Sequence, residues 1–256
     1  MSRALEGWAP EADLYLLGSG VQSFFDLSLG TQYLLEECGQ VFCLHDMPSL
    51  ERYLGRLTPE PVNLLPRYYR EGRERGEIYD DIVAHVLEAC RSAEAPVAFL
   101  MHGHPLFYST ISERLLERGR REGLRVVAVP GVSSLDRMFV DLELDPARHG
   151  LQVLEATSAL TAKLPLCTEH DVLFLQVGGI GDLTATRTAT AREEAVAEFR
   201  DYLLGTYPQS HPVRIVECAV EVGFEAQVTQ VPLGQLVEAA PVLNYNASAH
   251  LPPLES

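Results

Sequence analysis

The feature that most restricts the fold is an alternation of two hydrophobic periods. In the first half, short apolar runs at residues 14–17, 41–45, 62–65, 97–101 and 126–129 are separated by segments with helical spacing at 22–38, 49–57, 77–92 and 112–122. The clearest of these, 77–92, places Ile78, Ile82, Val83, Val86, Leu87 and Cys90 on one stripe, the 3.6-residue period of an amphipathic helix. Ser49 is the expected N-cap of its segment. Strands interleaved with helices predict a parallel α/β sheet. After Pro130-Gly131 the texture changes. Strand candidates fall at 151–154, 172–177, 213–218 and 227–231, with one long helix at 193–204. This predicts a second, more antiparallel α/β domain, with the break near 129–133 and, in the absence of a linker or repeat, direct packing of the two halves.

Charge and composition narrow the function classes. The 256 residues carry a net charge of −16, whereas nucleic-acid binding draws on a basic face. No run of 18 apolar residues occurs, and the opening MSRALEGWAPEADLY lacks a signal-peptide core, so neither a membrane span nor export is expected. Five dispersed cysteines without a CxxC pair predict reduced thiols in the cytoplasm.

Three stretches offer chemistry, each with a plainer structural reading beside it. Gly18-Ser19-Gly20 follows the first strand, where glycines let backbone approach a ligand. A dinucleotide fingerprint would need glycine at position 23, which is Ser23, although Asp46 stands where a ribose-binding acid would fall. In VAFLMHGHPLFYST, residues 97–110, a buried strand stops at His102-Gly103-His104-Pro105. A metal site would need further ligands; a loop histidine bonded to backbone and a ligand-cradling loop at a strand's carboxyl end are the other readings. Tyr68 to Tyr79 is crowded with Arg and Tyr. It is either a solvated helix face or, with Arg75 and Tyr79 four apart on one face, a guanidinium and phenol set to stabilise an oxyanion and move a proton.

Six stretches taken in order tie these together: Leu17-Gly18-Ser19-Gly20; His102-Gly103-His104-Pro105; PGVSSLDRMFVDLELDP from Pro130 to Pro146; Glu155-Ala156-Thr157; Leu173-Phe174-Leu175-Gln176-Val177-Gly178; and Leu251-Pro252-Pro253. Over nearly the whole chain they resemble the tetrapyrrole-methylase superfamily, the class III S-adenosylmethionine (SAM) methyltransferases. Within it they look most like the borosin-type peptide backbone α-N-methyltransferases. Those enzymes carry a Tyr, an Arg six residues later and a Tyr four beyond that, matched here by Tyr69, Arg75 and Tyr79. Their usual Tyr before Gly-His-Pro is His102 here.

The resemblance implies two α/β domains, 1–129 with a mostly parallel sheet and 130–256 with a mixed sheet, and a cofactor in the cleft between them. It implies SAM as cofactor and S-adenosylhomocysteine as product, without a metal. The implied cofactor contacts are Gly18, Gly20, His102, Gly103, His104, Leu106, Phe107, Ser133, Ser134, Leu135, Gln176, Val177, Ala219 and Ser248; the implied catalytic residues are Tyr69, Arg75, Tyr79 and His102. The expected reaction is N-methylation of backbone amides in a ribosomal precursor peptide (RiPP biosynthesis). The sequence stops three residues after Pro253, so the peptide is expected as a separate chain, acting with a cytoplasmic homodimer whose contacts include Leu64, Leu65, Phe107 and Phe139. The competing readings are a SAM methyltransferase of a tetrapyrrole or other small metabolite, and an inactive SAM- or peptide-binding homologue.

Overall fold

The computed structural model describes residues 7, 9–45, 47–70, 72–182 and 191–254. Asp46, the acid considered for a ribose, lies outside the described residues. The chain divides into two compact units, Met1–Asp136 with Val220–Gly223, and Arg137–Ala219 with Phe224–Ser256.

The first unit holds a five-stranded sheet in the order β3-β2-β4-β1-β5: β1 Leu14–Gly18, β2 Gln40–Cys43, β3 Asn63–Leu64, β4 Val97–Met101 and β5 Val126–Val129. All pairings are parallel. β1 and β4 are central, and their near-continuous apolar sequences follow from burial on both faces. One face is covered by α1 Leu29–Glu37 and α2 Pro48–Leu57, whose Leu34, Leu35, Leu50 and Leu54 pack with Tyr15, Leu17, Ala98 and Leu100. Two further helices, α3 Arg75–Ser92 and α4 Thr110–Arg121, pack against each other. All six residues of the predicted stripe on α3 are buried.

Side-chain caps move two expected helix starts, and a proline moves a third. α1 begins at Leu29 rather than at 22 because Ser28 Oγ caps it, accepting from Thr31 N at 3.0 Å. The preceding residues form a loop in which Asp26 Oδ2 accepts from the backbone N–H groups of Val21 and Gln22. α2 starts with Pro48 at its first position, where proline's missing N–H costs nothing; Ser49 is therefore inside the helix and is not its cap. α4 starts at Thr110, capped by Ser109. Leu65, expected at a dimer contact, has no exposed surface.

The second unit carries a mixed sheet ordered β6-β7-β10-β8-β9: β6 Leu151–Glu155, β7 Asp171–Leu175, β8 Pro212–Glu217, β9 Gln227–Pro232 and β10 Ser248–Leu251. β6 and β7 are parallel, and the remaining pairs antiparallel. α8 Glu193–Leu204 lays Ala195, Val196, Phe199 and Leu203 on a core containing Phe174, Val213, Ile215 and Ala249. Phe174 and Phe199 meet edge-to-face at 5.0 Å. β10, the short helices α5 Ser134–Asp141, α6 Pro146–His149 and α7 Ala156–Ala162, and the 3-10 segment Leu233–Val242 were not expected from periodicity. β10 reads SAHL, and its His250 is wholly buried. The imidazole is satisfied on both sides: Arg214 Nε donates to Nδ1 at 3.0 Å, and Nε2 meets Asp171 Oδ1 at 2.7 Å. An arginine Nε only donates, so Nδ1 accepts and the ring proton resides on Nε2. Among the described residues, no helix is long and apolar enough to cross a membrane.

Candidate active site

Parallel register brings the expected N-terminal ligand loops together. Gly18 pairs with Met101 and Leu17 with Val129, so the chain leaves β1, β4 and β5 at one sheet edge. Open α/β sheets bind ligands at such carboxyl edges. Gly20 and Gly103 form a two-way backbone bridge, Gly20 N to Gly103 O at 3.2 Å and Gly103 N to Gly20 O at 2.8 Å. Gly18 serves backbone packing: a Cβ there would run into the Gly103 carbonyl oxygen and stand 2.9 Å from Gly131 Cα. Gly18→Ala is expected to destabilise the fold by about 1–3 kcal/mol, the usual cost of overpacking, seen as a lower urea midpoint; an unchanged midpoint would contradict this packing role.

The remaining N-terminal candidates separate into groups already engaged and groups left open. His104 Nδ1 accepts from Leu106 N at 3.1 Å, so this imidazole shapes its own turn. Leu106 is exposed, and Phe107 packs edge-to-face on Tyr108 at 4.9 Å. Ser133 and Asp136 cap α5 reciprocally: Ser133 N donates to Asp136 Oδ2 at 2.7 Å, and Asp136 N to Ser133 Oγ at 3.2 Å. This is the capping-box pattern; it places Ser134 and Leu135 in the first turn of α5. His102 differs from these. Burial pushes its pKa down from 6.5 to about 4, and its Nδ1 is sealed from solvent with no hydrogen-bond partner among the described residues. It is a neutral imidazole near pH 7, poorly suited to act as a general base.

Two contacts at this edge join residues far apart in sequence. His45, just beyond β2, meets His102 with ring centroids 4.5 Å apart at 65°. Ser23, held at a φ of 42°, shares a 2.7 Å hydrogen bond with Ser49, whose hydroxyl donates to the Glu221 carboxylate at 2.8 and 3.0 Å. These bonds tie segment Val220–Gly223 to the first turn of α2 and the loop after β1. The position where a dinucleotide fingerprint needs glycine is thus a buried serine.

The Tyr/Arg cluster spans a 3-10 turn and a helix start. Tyr69 caps the turn Pro66–Tyr68. Arg75 is the first residue of α3, two residues earlier than expected, and Tyr79 follows one turn later, so both face the same way. A cation at this position opposes the helix dipole by roughly 0.3–1 kcal/mol. Arg114 of α4 places its guanidinium 5.8 Å from the Tyr79 ring centre and bonds Asp80 at 3.0 Å. Beside them, the Tyr68 hydroxyl and His85 Nδ1 are 2.8 Å apart.

The four C-terminal candidates share one end of the second sheet. Gln176 and Val177 follow β7, Ser248 opens β10 and Ala219 lies just past β8; the antiparallel pairings put these termini side by side. Gln176 has a φ of 59°, a conformation that non-glycine residues adopt only when the surroundings impose it. Val177 N donates to Ala247 O at 3.2 Å. Sequence reasoning missed Asn244 and Glu217 here: Asn244 Nδ2 donates to Glu217 at 2.6 Å, and a side chain at Gly178 would collide with the Asn244 carbonyl. Among the described residues, no group of three His, Cys, Asp or Glu side chains could hold a metal ion.

The profile of the family described as Tetrapyrrole (Corrin/Porphyrin) Methylases matches residues 13–236. The chain therefore belongs to the tetrapyrrole methylase family, a family of SAM-dependent methyltransferases. It is 33% identical over 168 residues to the methyltransferase/type II borosin cyclic peptide precursor pgiMA1 of Phlebiopsis gigantea, a match covering 66% of this chain and 30% of that one. To the gymnopeptides precursor gymMA1 of Gymnopus fusipes it is 26% identical over 247 residues, 94% of this chain and 57% of the relative. The chain thus spans less than two thirds of either relative. The fold also matches uroporphyrin-III C-methyltransferase from Thermus thermophilus complexed with S-adenosylhomocysteine, with a TM-score of 0.63, 20% identity and coverage of 93% of this chain and 96% of that one.

SAM is the methyl donor of this family, and the residues present fit such a ligand. The sealed Nδ1 of His102 is a polar atom whose burial without a partner costs about 1–3 kcal/mol. Beside it Gly103, at a φ of 74°, leaves open the space that a side chain would fill, with only the Val132 carbonyl oxygen near, at 3.9 Å, and a ligand against the loops after β1 and β4 would occupy that space.

Proposed function

We propose that the chain N-methylates backbone amides of a ribosomal precursor peptide that reaches it as a separate chain. The observation that carries this reading is the placement of Arg75 and Tyr79 on one face at the start of α3, with Tyr69 six residues earlier. The relatives named as methyltransferase/ribosomally synthesized cyclic peptide precursors, one of them a type II borosin, support it. An amide nitrogen is a poor nucleophile because its lone pair is delocalised into the carbonyl. Methylating it requires removal of the N–H proton and stabilisation of the resulting imidate oxygen. Arg75 holds that oxygen, and Tyr79 or Tyr69, acting as the phenolate, takes the proton and becomes the neutral phenol. Bound SAM supplies an electrophilic methyl group and leaves as S-adenosylhomocysteine. His102 stays neutral and contacts the donor through Nε2, the ring nitrogen that is not sealed, while the glycine loops fix the donor's position, a large part of the rate in such a transfer. The active form in this reading is a cytoplasmic homodimer.

A second reading has one observation in its favour: His102 stands where the peptide-methylating pattern has Tyr. A small metabolite such as a tetrapyrrole would then be the methyl acceptor. Co-expression with precursor peptides encoded beside the chain, followed by intact-mass measurement, separates the readings. Peptide mass rising by whole methyl groups is expected. An unchanged peptide, with methyl transfer to a uroporphyrin-type tetrapyrrole, would establish the second reading, and methylation of only a peptide joined to the enzyme would reject delivery as a separate chain.

A further inference from the structure

We infer that His45 is a positioning residue for His102: its ring locks the His102 imidazole in one of its two orientations, so that a chosen nitrogen faces the methyl donor. The inference rests on the proposed donor-binding role of His102.

Sheet register places the pair. β2 and β4 run parallel with Cys43 opposite Leu100, and Leu44 N continues the ladder to Leu100 O at 2.9 Å. His45 and His102 each follow that last register pair by two residues. Side chains two apart in extended chain share a face, so continuation of the two strands by two residues would carry both imidazoles on the side of Cys43 and Leu100. The His45 carbonyl is itself held, accepting from Cys43 Sγ at 3.7 Å. The rings therefore meet by strand geometry, at 4.5 Å and 65°, within the range of favourable edge-to-face contacts.

The need for such a lock follows from the chemistry of a neutral imidazole. It carries one N–H and one bare nitrogen. Rotation about its last torsion is broad and roughly two-fold, and a half-turn exchanges Nδ1 with a carbon. Nδ1 has no hydrogen-bond partner among the described residues to hold the ring. A tyrosine at this position would look the same after such a flip; a histidine does not. The replacement of Tyr by His thus creates an orientation problem that the His45 edge resolves.

Long-range nitrogen–proton NMR of the full chain, with and without S-adenosylhomocysteine, reads the tautomer and environment of His102 independently of turnover. In the unmodified chain His102 should show one neutral tautomer. His45→Ala should average or split its signals, and His45→Phe, which keeps an aromatic edge, should restore one set. Kinetically, His45→Ala should lower kcat roughly two- to tenfold, the worth of one aromatic edge contact, with little change in KM for SAM; in a His102→Ala background it should add nothing. An identical His102 spectrum in His45→Ala, or the same kinetic loss in both backgrounds, would overturn the inference. Loss of peptide methylation by the unmodified chain, with the His102 spectra behaving as expected, would instead count against the proposed substrate.

Discussion

Arg75→Ala is expected to slow amide methylation by roughly 10²–10³-fold, the cost of losing a positioned donor to a developing oxyanion, while SAM and S-adenosylhomocysteine affinity stay unchanged. Arg75 belongs to α3 and to none of the strand-end loops assigned to the donor, so the two effects should separate in calorimetry and single-turnover kinetics. Arg75→Lys should recover little, because an ammonium lacks the planar fork of a guanidinium. Tyr79→Phe should be comparably slow if its phenol moves the proton. The competing account is a solvated helix face, for which either change shifts stability by at most about 0.5 kcal/mol. Near-normal turnover by Arg75→Ala would remove the catalytic assignment.

The second large effect is acid sensitivity, and its sign is fixed by two histidines. Burial depresses His102 and His250 from 6.5 to about 4. Above pH 6.5 each ring is neutral whether folded or unfolded, and stability is intact. As pH falls below 6.5 the unfolded chain takes up these protons while the folded chain does not. Stability should then drop by about 1.4 kcal/mol per pH unit for each group, levelling near pH 4. His250 gives the loss a structural cause: a proton on Nδ1 would face the Arg214 Nε–H, donor against donor. Burial lowers His85 and His211 in the same direction. Two carboxylates extend the loss at lower pH. The N–H and guanidinium of Arg125 hold Asp13 below its usual value; at Glu155 burial works the other way, but hydrogen bonds from Ser158 and Thr157 prevail. Urea unfolding at pH 7.5 and 5.0 measures the effect. Equal stabilities at the two pH values would contradict it.

The legible parts of the fold were those where burial writes itself into sequence. The stripe on α3 named its six buried residues, and the apolar runs of β1 and β4 announced a sheet covered on both faces. Periodicity did not show β10, whose end falls at the Leu251-Pro252-Pro253 stretch, because its large polar residue is accepted into the core by Arg214 and Asp171, partners 36 and 79 residues away. The start of α5 was masked because PGVSSLD reads as a ligand motif; its Ser133 and Asp136 also bond each other at the helix start. In the candidate site, the loops stand out in the sequence because they follow strands, and Arg75 and Tyr79 because helical spacing joins them. His45 and Glu221 were missed for one physical reason: their contacts are made by strand register and chain return, which leave no local pattern. Glu221 reaches Ser49 across 172 positions.

The central claim is that the transferred methyl group lands on a backbone nitrogen. Incubating the purified chain with methyl-deuterated SAM and its precursor peptide, then locating the label by fragment-ion mass spectrometry, tests this directly. The account predicts deuterated methyl groups on backbone amides, absent when Arg75→Ala replaces the unmodified chain. Label on side chains, or on a tetrapyrrole with the peptide untouched, would contradict it.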